Sequence, residues 1–208
     1  MVQGFFFCGG IMANIIDAQN AFSKLLDIEY EFILGRKGKS VTLRVEFQKL
    51  HFFHLVGLQY LRDLPKLAIS AEDVYNQIES GHLSTTYIES SHNYDYIKNR
   101  VIHLPFLEQI FDSNDTIFKY NPALQAFSVI EADFLLKNAI NQLPVFVFLS
   151  KDKNEKYFCK SFFTDTKKDY AERQTKWTVL FKKKIFKSSN TETVLYRHQN
   201  FKENQPKL

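Results

Sequence analysis

Four short segments in the last third of the chain have the apolar and aromatic composition of β-strands. In chain order they are Val145–Lys151, Tyr157–Phe163, Trp177–Phe186 and Thr193–Arg197. Strands that follow one another with short connections pair most simply as antiparallel neighbours. An antiparallel sheet is therefore predicted as the framework of this part of the protein. A further strand is expected over Ala126–Leu135, with Phe127 and Val129 facing inward.

The N-terminal part of the chain switches between helical and strand periodicity. Apolar residues of Asn14–Leu26 and of Lys49–Leu61 recur at the spacing of one helix face. Between them, Ile28–Leu34 and Val41–Phe47 alternate apolar and polar residues around the turn signal Gly35–Lys39, which predicts a hairpin with one buried face. The order predicts an α+β fold, with N-terminal helices and the hairpin packed with a C-terminal antiparallel sheet.

A length of 208 residues predicts a single domain. We assign the domain to residues 14–200, with an N-terminal extension at 1–13 and a polar tail at 201–208. Within the domain, residues 66–112 are helical in pattern and rich in polar residues, so they are expected to form a peripheral insertion.

The positive charge of the chain is concentrated at its C-terminal end. Residues 151–208 contain 15 Lys and Arg against 7 Asp and Glu, whereas residues 1–150 contain 12 against 16. The basic segment coincides with predicted strands. Two interpretations are open for a strand face with many lysines: a surface that attracts a phosphate backbone, or a solvated face that charge keeps soluble.

The chain lacks the signatures of several large enzyme classes. It has no glycine-rich phosphate loop, no His-Glu-x-x-His motif, no nucleophile elbow and no dinucleotide fingerprint. Its two cysteines, Cys8 and Cys159, fit neither a disulfide framework nor a cysteine-based zinc site. We therefore expect no metal, no cofactor, no membrane partner, and a reducing, cytoplasmic location.

His54 lies on the apolar stripe of the predicted helix Lys49–Leu61. A histidine at such a position needs a buried hydrogen-bond partner or a chemical role, so it is either a satisfied core residue or a catalytic imidazole. Gly57, one turn later, leaves room for another element or a substrate to approach. His51 is three residues before His54, but no third ligand lies near in sequence to complete a metal site.

A polar pair interrupts the aromatic strand Tyr157–Phe163. Strand alternation places Lys160 on the face of Phe158 and Phe162, and Ser161 on the opposite face. Lys160 either extends along apolar surface to reach water or stabilises a dianionic phosphorane in a cleft. In the second case Ser161 would donate a hydrogen bond to the same group.

The residues after this strand supply further candidates for binding a ligand. Tyr170 and Gln174 are four residues apart and would share a helical face, where they either position a phosphate or a base or simply cap a loop. Lys182 and Lys184 belong to the basic strand that follows, and they are candidates for contacting the same ligand.

Two groups of residues resemble a known family. The segment Phe53-His54-Leu55-Val56-Gly57-Leu58 after a hairpin resembles the Phe-His-Leu-x-Gly-Leu segment of a phage-associated branch of the barnase–EndoU–colicin–RelE-like (BECR) nucleases. The closing pattern Tyr157…Ser161-Phe162-Phe163…Tyr170…Gln174 followed by a strand is also similar. The resemblance covers roughly residues 14–63 and 115–197 and implies N-terminal helices packed on an antiparallel sheet.

The resemblance implies a small ribonuclease of phage or mobile-element origin, often a toxin that a protein inhibitor restrains. It also implies cleavage without metal, in which the neighbouring 2′-hydroxyl attacks the phosphate while an acid and a base move protons. Carried over to this chain, His54 would be the acid or base and Lys160 and Ser161 would contact the phosphate. The secondary positions would be Tyr170, Gln174 and Thr178.

No second histidine matches the two-histidine pattern of some relatives, so Lys160 or a tyrosine would be the partner of His54. The alternative function is a non-catalytic module that binds nucleic acid or protein on the same basic sheet.

Overall fold

The computed structural model describes residues 13–113, 116–125, 128–165, 167–199 and 201–202. Within these ranges the chain forms six α-helices and eight strands. The helices are α1 (Ile15–Leu25), α2 (Lys49–Val56), α3 (Ala71–Glu79), α4 (Thr85–Glu89), α5 (Asp95–His103) and α6 (Leu107–Asp112). The strands are β1 (Ile28–Arg36), β2 (Lys39–Glu46), β3 (Thr116–Lys119), β4 (Phe134–Ile140), β5 (Leu143–Lys151), β6 (Tyr157–Thr164), β7 (Thr175–Phe186) and β8 (Thr191–Arg197).

Seven strands close into a barrel in the order β1, β2, β6, β5, β4, β3 and β7, with β7 pairing back to β1. Strand β8 is attached to β7 outside this ring. The pairings are antiparallel, apart from β2 with β6, which meet as parallel neighbours at Val45 and Tyr157. The predicted α+β class is confirmed. The hairpin was predicted to pack with a C-terminal sheet, whereas its two strands belong to the same sheet as the C-terminal strands. That sheet is closed, because β1 pairs with β7 as well as with β2 and so removes two free edges.

Two tight turns set the register of the hairpins β1–β2 and β4–β5. The β1–β2 turn has Lys37 at φ 47° and Gly38 at φ 75°, and the β4–β5 turn has Asn141 at φ 49° and Gln142 at φ 68°. Two-residue turns with both φ angles positive match the right-handed twist of the strands that they join. The turn predicted at Gly35–Lys39 is therefore confirmed, and the two residues between the strands are Lys37 and Gly38.

The strand expected over Ala126–Leu135 was wrong over most of its length. Residues 128–132 are not in a strand, Val129 is 95% exposed, and β4 begins only at Phe134. The Ser128 hydroxyl accepts a hydrogen bond from the backbone N–H of Ile130, and such local bonds compete with strand pairing. Ala126 and Phe127 lie outside the described residues.

The helices of residues 66–112 belong to the main core. Val74, Ile97 and Val101 are fully buried, and the ring of Phe111 stacks on Tyr30 of β1 at 5.0 Å. The expected peripheral insertion was therefore wrong: one apolar stripe per helix is enough to pack it, even where polar residues predominate. Within the described ranges, no helix combines the length and the apolar composition needed to cross a bilayer.

Strands β5 and β6 have an apolar cluster on each face. Val147, Leu149 and Phe162 lie in the main core, which the helices share. The opposite face carries Phe146 and Phe148 of β5, which form a smaller cluster.

Candidate active site

Helix α2 follows β2 directly and packs against β6. It ends at Gly57, whose φ of 87° is the left-handed conformation that glycine adopts most readily. The predicted helix to Leu61 was therefore too long, and Leu58–Tyr60 form a separate 3₁₀ turn. A Cβ atom at Gly57 would lie 2.9 Å from Ile97 and 3.2 Å from Arg100. Glycine is required because α5 approaches the backbone here.

His54 lies in the last turn of α2 and is exposed. The expected position on the buried stripe was wrong, because the buried face of the shortened helix consists of Phe52, Leu55 and Val56. The imidazole instead lines a cavity of about 540 Å³ between α2, β6 and α5. Lys160 and Ser161 line the same cavity, so the structure brings the three proposed catalytic residues together.

His51 also lines this cavity, one helical turn before His54. Its ring stacks on Phe158 of β6, with centroids 4.9 Å apart, and its Nδ1 accepts a hydrogen bond from the backbone N–H of Gln48. Burial, followed by the nearby charge of His54, lowers the pKa of His51 to about 4. The ring is therefore neutral near physiological pH, with its remaining proton on Nε2. His51 can donate a hydrogen bond but is not a suitable base.

A β-bulge places Lys160 and Ser161 side by side. Leu149 of β5 pairs with Cys159, whereas the next residue back, Phe148, pairs with Ser161, so Lys160 is an extra residue without a partner. The neighbours on either side, Cys159 and Phe162, are both buried in the main core. The predicted alternation of Lys160 and Ser161 was therefore wrong. An inserted residue allows two consecutive side chains to point away from the core and into one cavity.

Two cations of the cavity lack an acidic partner. Among the residues that the structure describes, neither Lys160 nor Arg100 has a carboxylate within 4.0 Å. Half-buried Arg100 lies between two aromatic rings, 5.3 Å from the centroid of Phe163 and 5.7 Å from that of Tyr60. Burial lowers the pKa of Arg100, but a guanidinium remains charged in proteins. A half-buried cation without a counter-ion favours an anionic ligand.

A further lysine that lines the cavity, Lys156, has acidic partners. Lys156 forms ion pairs with Glu46 and Glu29. Hydrogen bonding to Glu46 raises its pKa above the ordinary value, so its charge is held and neutralised within the protein. The free positive charge of the cavity therefore comes from Lys160 and Arg100.

A buried acceptor in the cavity wall also lacks a partner. The Oε1 atom of Gln59 is buried and accepts no hydrogen bond from the described residues. An unpaired buried oxygen costs about 1–3 kcal/mol. A ligand hydroxyl or amine that donates to Gln59 would remove this cost.

A second cavity of about 390 Å³ adjoins the first. Tyr60, Arg100 and Ser161 line both cavities. The second one also contains Tyr170, whose ring packs edge-on against Phe163 at 5.2 Å. The predicted substrate-binding residue Tyr170 thus lies beside the candidate site, although not in the same cavity as His54.

The other proposed substrate-binding residues lie elsewhere. Gln174 is buried, and its amide bonds both the N–H and the carbonyl of Asn121. Thr178, Lys182 and Lys184 belong to β7, which is three strands from β6 by the shorter way around the barrel. Lys182 and Lys184 are 1% and 6% exposed, so the expectation that they form a basic surface was wrong.

The buried lysines of β7 attach α6 to the barrel. Lys182 donates to the backbone oxygens of Phe111 and Ser113, and Lys184 forms ion pairs with Glu108 and Asp112. Burial alone would lower the pKa of Lys184, but hydrogen bonds from its ammonium to Glu108 and Asp112 raise it. These charges are satisfied inside the protein.

Sequence reasoning considered His51 only as a metal ligand and set it aside, and it missed Gln59 and Arg100. The spacing of His51 and His54 by three residues was a usable signal, because such residues lie on one helix face. Gln59 follows the end of α2, which was predicted as continuous helix. Arg100 gives no sequence signal, because its position depends on how α5 packs against Gly57.

Comparison with known proteins identifies the family of the chain. No curated protein and no solved structure matches the chain. Residues 14–199 match the family model described as phage-Barnase-EndoU-ColicinE5/D-RelE like nuclease 4. That range covers most of the chain, including both cavities, and the chain belongs to this family of phage-associated nucleases.

Proposed function

We propose that this nuclease cleaves RNA without a metal ion, by attack of a ribose 2′-hydroxyl on the adjacent phosphodiester. One observation carries the proposal: an exposed imidazole, His54, shares a cavity with two cations that have no carboxylate partner among the described residues. An imidazole can move a proton near neutral pH, and unpaired cations stabilise the negative charge on the oxygens of the phosphorane.

The roles follow from the chemistry of each group. His54 removes the proton of the 2′-hydroxyl, whose oxygen then forms a bond to phosphorus. Arg100 and the Nε2–H of His51 bind the non-bridging oxygens of the phosphorane. The bond to the 5′-oxygen breaks, and the ammonium of Lys160 supplies the proton that this oxygen takes up. The products are a 2′,3′-cyclic phosphate and a 5′-hydroxyl end.

Gln59 supports RNA as the substrate in preference to DNA. Its buried Oε1 lacks a donor among the described residues, and a ribose 2′-hydroxyl is a donor that DNA does not have. Gln59 lines the same cavity as His54. A hydroxyl carries a single proton, so the 2′-hydroxyl bonded to Gln59 in the bound substrate must turn that proton toward His54 before it attacks.

The test is cleavage of a labelled RNA oligonucleotide and its DNA equivalent in the presence of EDTA. The wild type is expected to cut the RNA alone and to leave a 2′,3′-cyclic phosphate. Replacement of His54 by alanine should reduce the rate roughly 10²- to 10⁴-fold. Because His54 is exposed, the melting temperature should not change. Intact RNA with the wild type, or equal cleavage by His54→Ala, would refute the mechanism.

We also propose that the protein acts as a toxin of phage or mobile-element origin in the cytoplasm, with RNA as target and a protein inhibitor as partner. Family membership supports the phage association. Expression of the wild type in a bacterial host should slow growth, and His54→Ala should relieve the effect. Normal growth with well-expressed wild type would contradict the toxin role.

Salt-dependent RNA binding without cleavage would support the alternative of a non-catalytic binding module.

A further inference from the structure

We propose that the second cavity is a nucleobase subsite, which takes the unpaired base of a nucleotide beside the scissile phosphate. This inference rests on the proposed ribonuclease function and extends it to the form of RNA that is cleaved. The cavity lies between α5, the 3₁₀ turn Leu58–Tyr60 and the end of β6, and it holds about 390 Å³.

Exposed apolar side chains are concentrated around this cavity. Over the described part of the chain, seven large hydrophobic residues are exposed, and three of them, Tyr60, Tyr96 and Val129, line this cavity. Tyr96 is 76% exposed and Val129 is 95% exposed. Exposed aromatic rings beside a cation are the usual stacking surface for bases of single-stranded nucleic acid. The cluster therefore indicates a flat aromatic ligand.

The two cavities meet at residues that would contact one nucleotide. Tyr60, Arg100 and Ser161 line both of them, and Arg100 is held over the ring of Tyr60. A base and its neighbouring phosphate are joined by a single ribose, so their binding sites must adjoin. A base can enter a side cavity only when it is not paired, since pairing holds it inside a helix. The substrate is accordingly single-stranded RNA or a loop.

Polar groups at the edge of the cavity can read the base. One carboxylate oxygen of Asp165 accepts hydrogen bonds from the backbone N–H groups of Lys167 and Lys168, at 2.7 and 3.2 Å. Its other oxygen has no donor among the described residues. A carboxylate accepts from an amino group but cannot donate to a carbonyl. The ring donor of uracil, N3–H, lies between two carbonyl oxygens that a carboxylate repels. The subsite should therefore favour bases with an exocyclic amino group over uracil.

The experiment uses a DNA oligonucleotide that contains one ribonucleotide, so that cleavage can occur at a single phosphate. A base is removed either at the ribonucleotide or at its 3′ neighbour. With wild type, one of the two abasic substrates should show a loss of about tenfold in kcat/KM, the size expected for one stacked base. Tyr96→Ala should cause a similar loss on the intact oligonucleotide and no further loss on that abasic one.

Tyr196→Ala, on β8 and outside the lining of both cavities, is the control and should change the cleavage of neither substrate. If Tyr96→Ala slows intact and abasic substrates by the same factor, or has no effect, the subsite proposal is overturned.

Substitution of the base in the sensitive position tests the contact with Asp165 at the edge of the cavity. The oligonucleotide with uracil at that position should be cleaved more slowly than those with adenine, cytosine or guanine. Asp165→Asn should reduce that difference in rate. Equal rates with all four bases would exclude the role of Asp165.

A binding measurement separates this proposal from the proposed function. The His54→Ala protein should bind the intact oligonucleotide about tenfold more tightly than the abasic one in fluorescence anisotropy, and adding Tyr96→Ala should abolish the difference. If His54→Ala binds the intact oligonucleotide preferentially but the wild type does not cleave it, the subsite is supported and the ribonuclease mechanism is refuted. If the wild type cleaves the oligonucleotide but binding does not depend on the base, the mechanism is supported and the subsite is refuted.

Discussion

Strands β6 and β7 both carry lysines among aromatic residues, and they use them in opposite ways. Lys160 of β6 is exposed and has no ion pair among the described residues, whereas Lys182 of β7 is 1% exposed and donates to two backbone carbonyls. The difference comes from the neighbours: the β6 bulge opens onto a cavity, and α6 covers β7. A count of charges therefore identifies a binding surface only where the charges are not already paired.

Among the changes that test the contrast between β6 and β7, the largest effect is expected from removing the unpaired lysine of β6. Lys160→Ala should lower kcat about 10²- to 10³-fold, because the group that protonates the departing 5′-oxygen is lost. The melting temperature should stay within one degree or so of wild type, since an exposed side chain contributes roughly 0.5 kcal/mol or less to stability.

Lys176→Ala is the matched control for this variant, because Lys176 is an exposed lysine of β7. It should leave kcat unchanged. Equal losses of activity for Lys160→Ala and Lys176→Ala would show that activity depends on the total positive charge of the protein and not on a lysine in the cavity. The contrast between β6 and β7 would then be wrong.

The second expected effect concerns His51, which packs on β6 as a neutral ring. Its pKa of about 4 in the folded protein lies below the ordinary 6.5, so the unfolded chain takes up the proton first as the pH falls. The stability contributed by neutral His51 is complete above pH 6.5 and is lost between 6.5 and 4. The upper limit is about 3 kcal/mol for this shift.

His51→Gln provides the comparison, because glutamine at this helix position can still accept from the Gln48 N–H. Urea unfolding at pH 7 and at pH 4.5 should show that wild type loses more free energy of unfolding than His51→Gln. The same pH dependence in both proteins would mean that the ring is not held neutral by burial against Phe158.

The smallest effect is expected at the paired lysine of β7. Lys182→Met retains most of the side-chain volume but removes the ammonium that bonds Phe111 and Ser113. The free energy of unfolding should fall by about 2 kcal/mol, because the carbonyls lose a charged donor. The value of kcat for the folded protein should be unchanged. A loss of activity with stability intact would place β7, and not β6 alone, in the active site.

Local pattern was enough to predict most of the elements of this fold. The hairpin of β1 and β2, the helix α1 and the strands β5 to β8 all follow from apolar periodicity and turn residues within a few positions of one another. The error at residues 128–132 has a local cause as well, since the Ser128 hydroxyl bonds the backbone of Ile130. The end of α2 was misplaced because Gly57 was taken as an interior residue.

The site was only partly predictable, for a different reason. His54, Lys160 and Ser161 were selected as polar residues in apolar surroundings, and they do line one cavity. The surroundings themselves were misjudged, because neither the bulge at Lys160 nor the early end of α2 is visible in alternation alone. Arg100 comes from a segment that was expected to be peripheral.

The sequence by itself determined most of the strands and helices, the basic C-terminal segment and the resemblance that the family match confirmed. Only the tertiary structure decided which charges are free. Closure of the barrel places β7 away from β6 and under α6, and the close contact of α5 with Gly57 brings Arg100 to the cavity. Whether a charge is paired depends on residues that are far apart in the chain. Spacing along the sequence does not predict which of those residues come into contact.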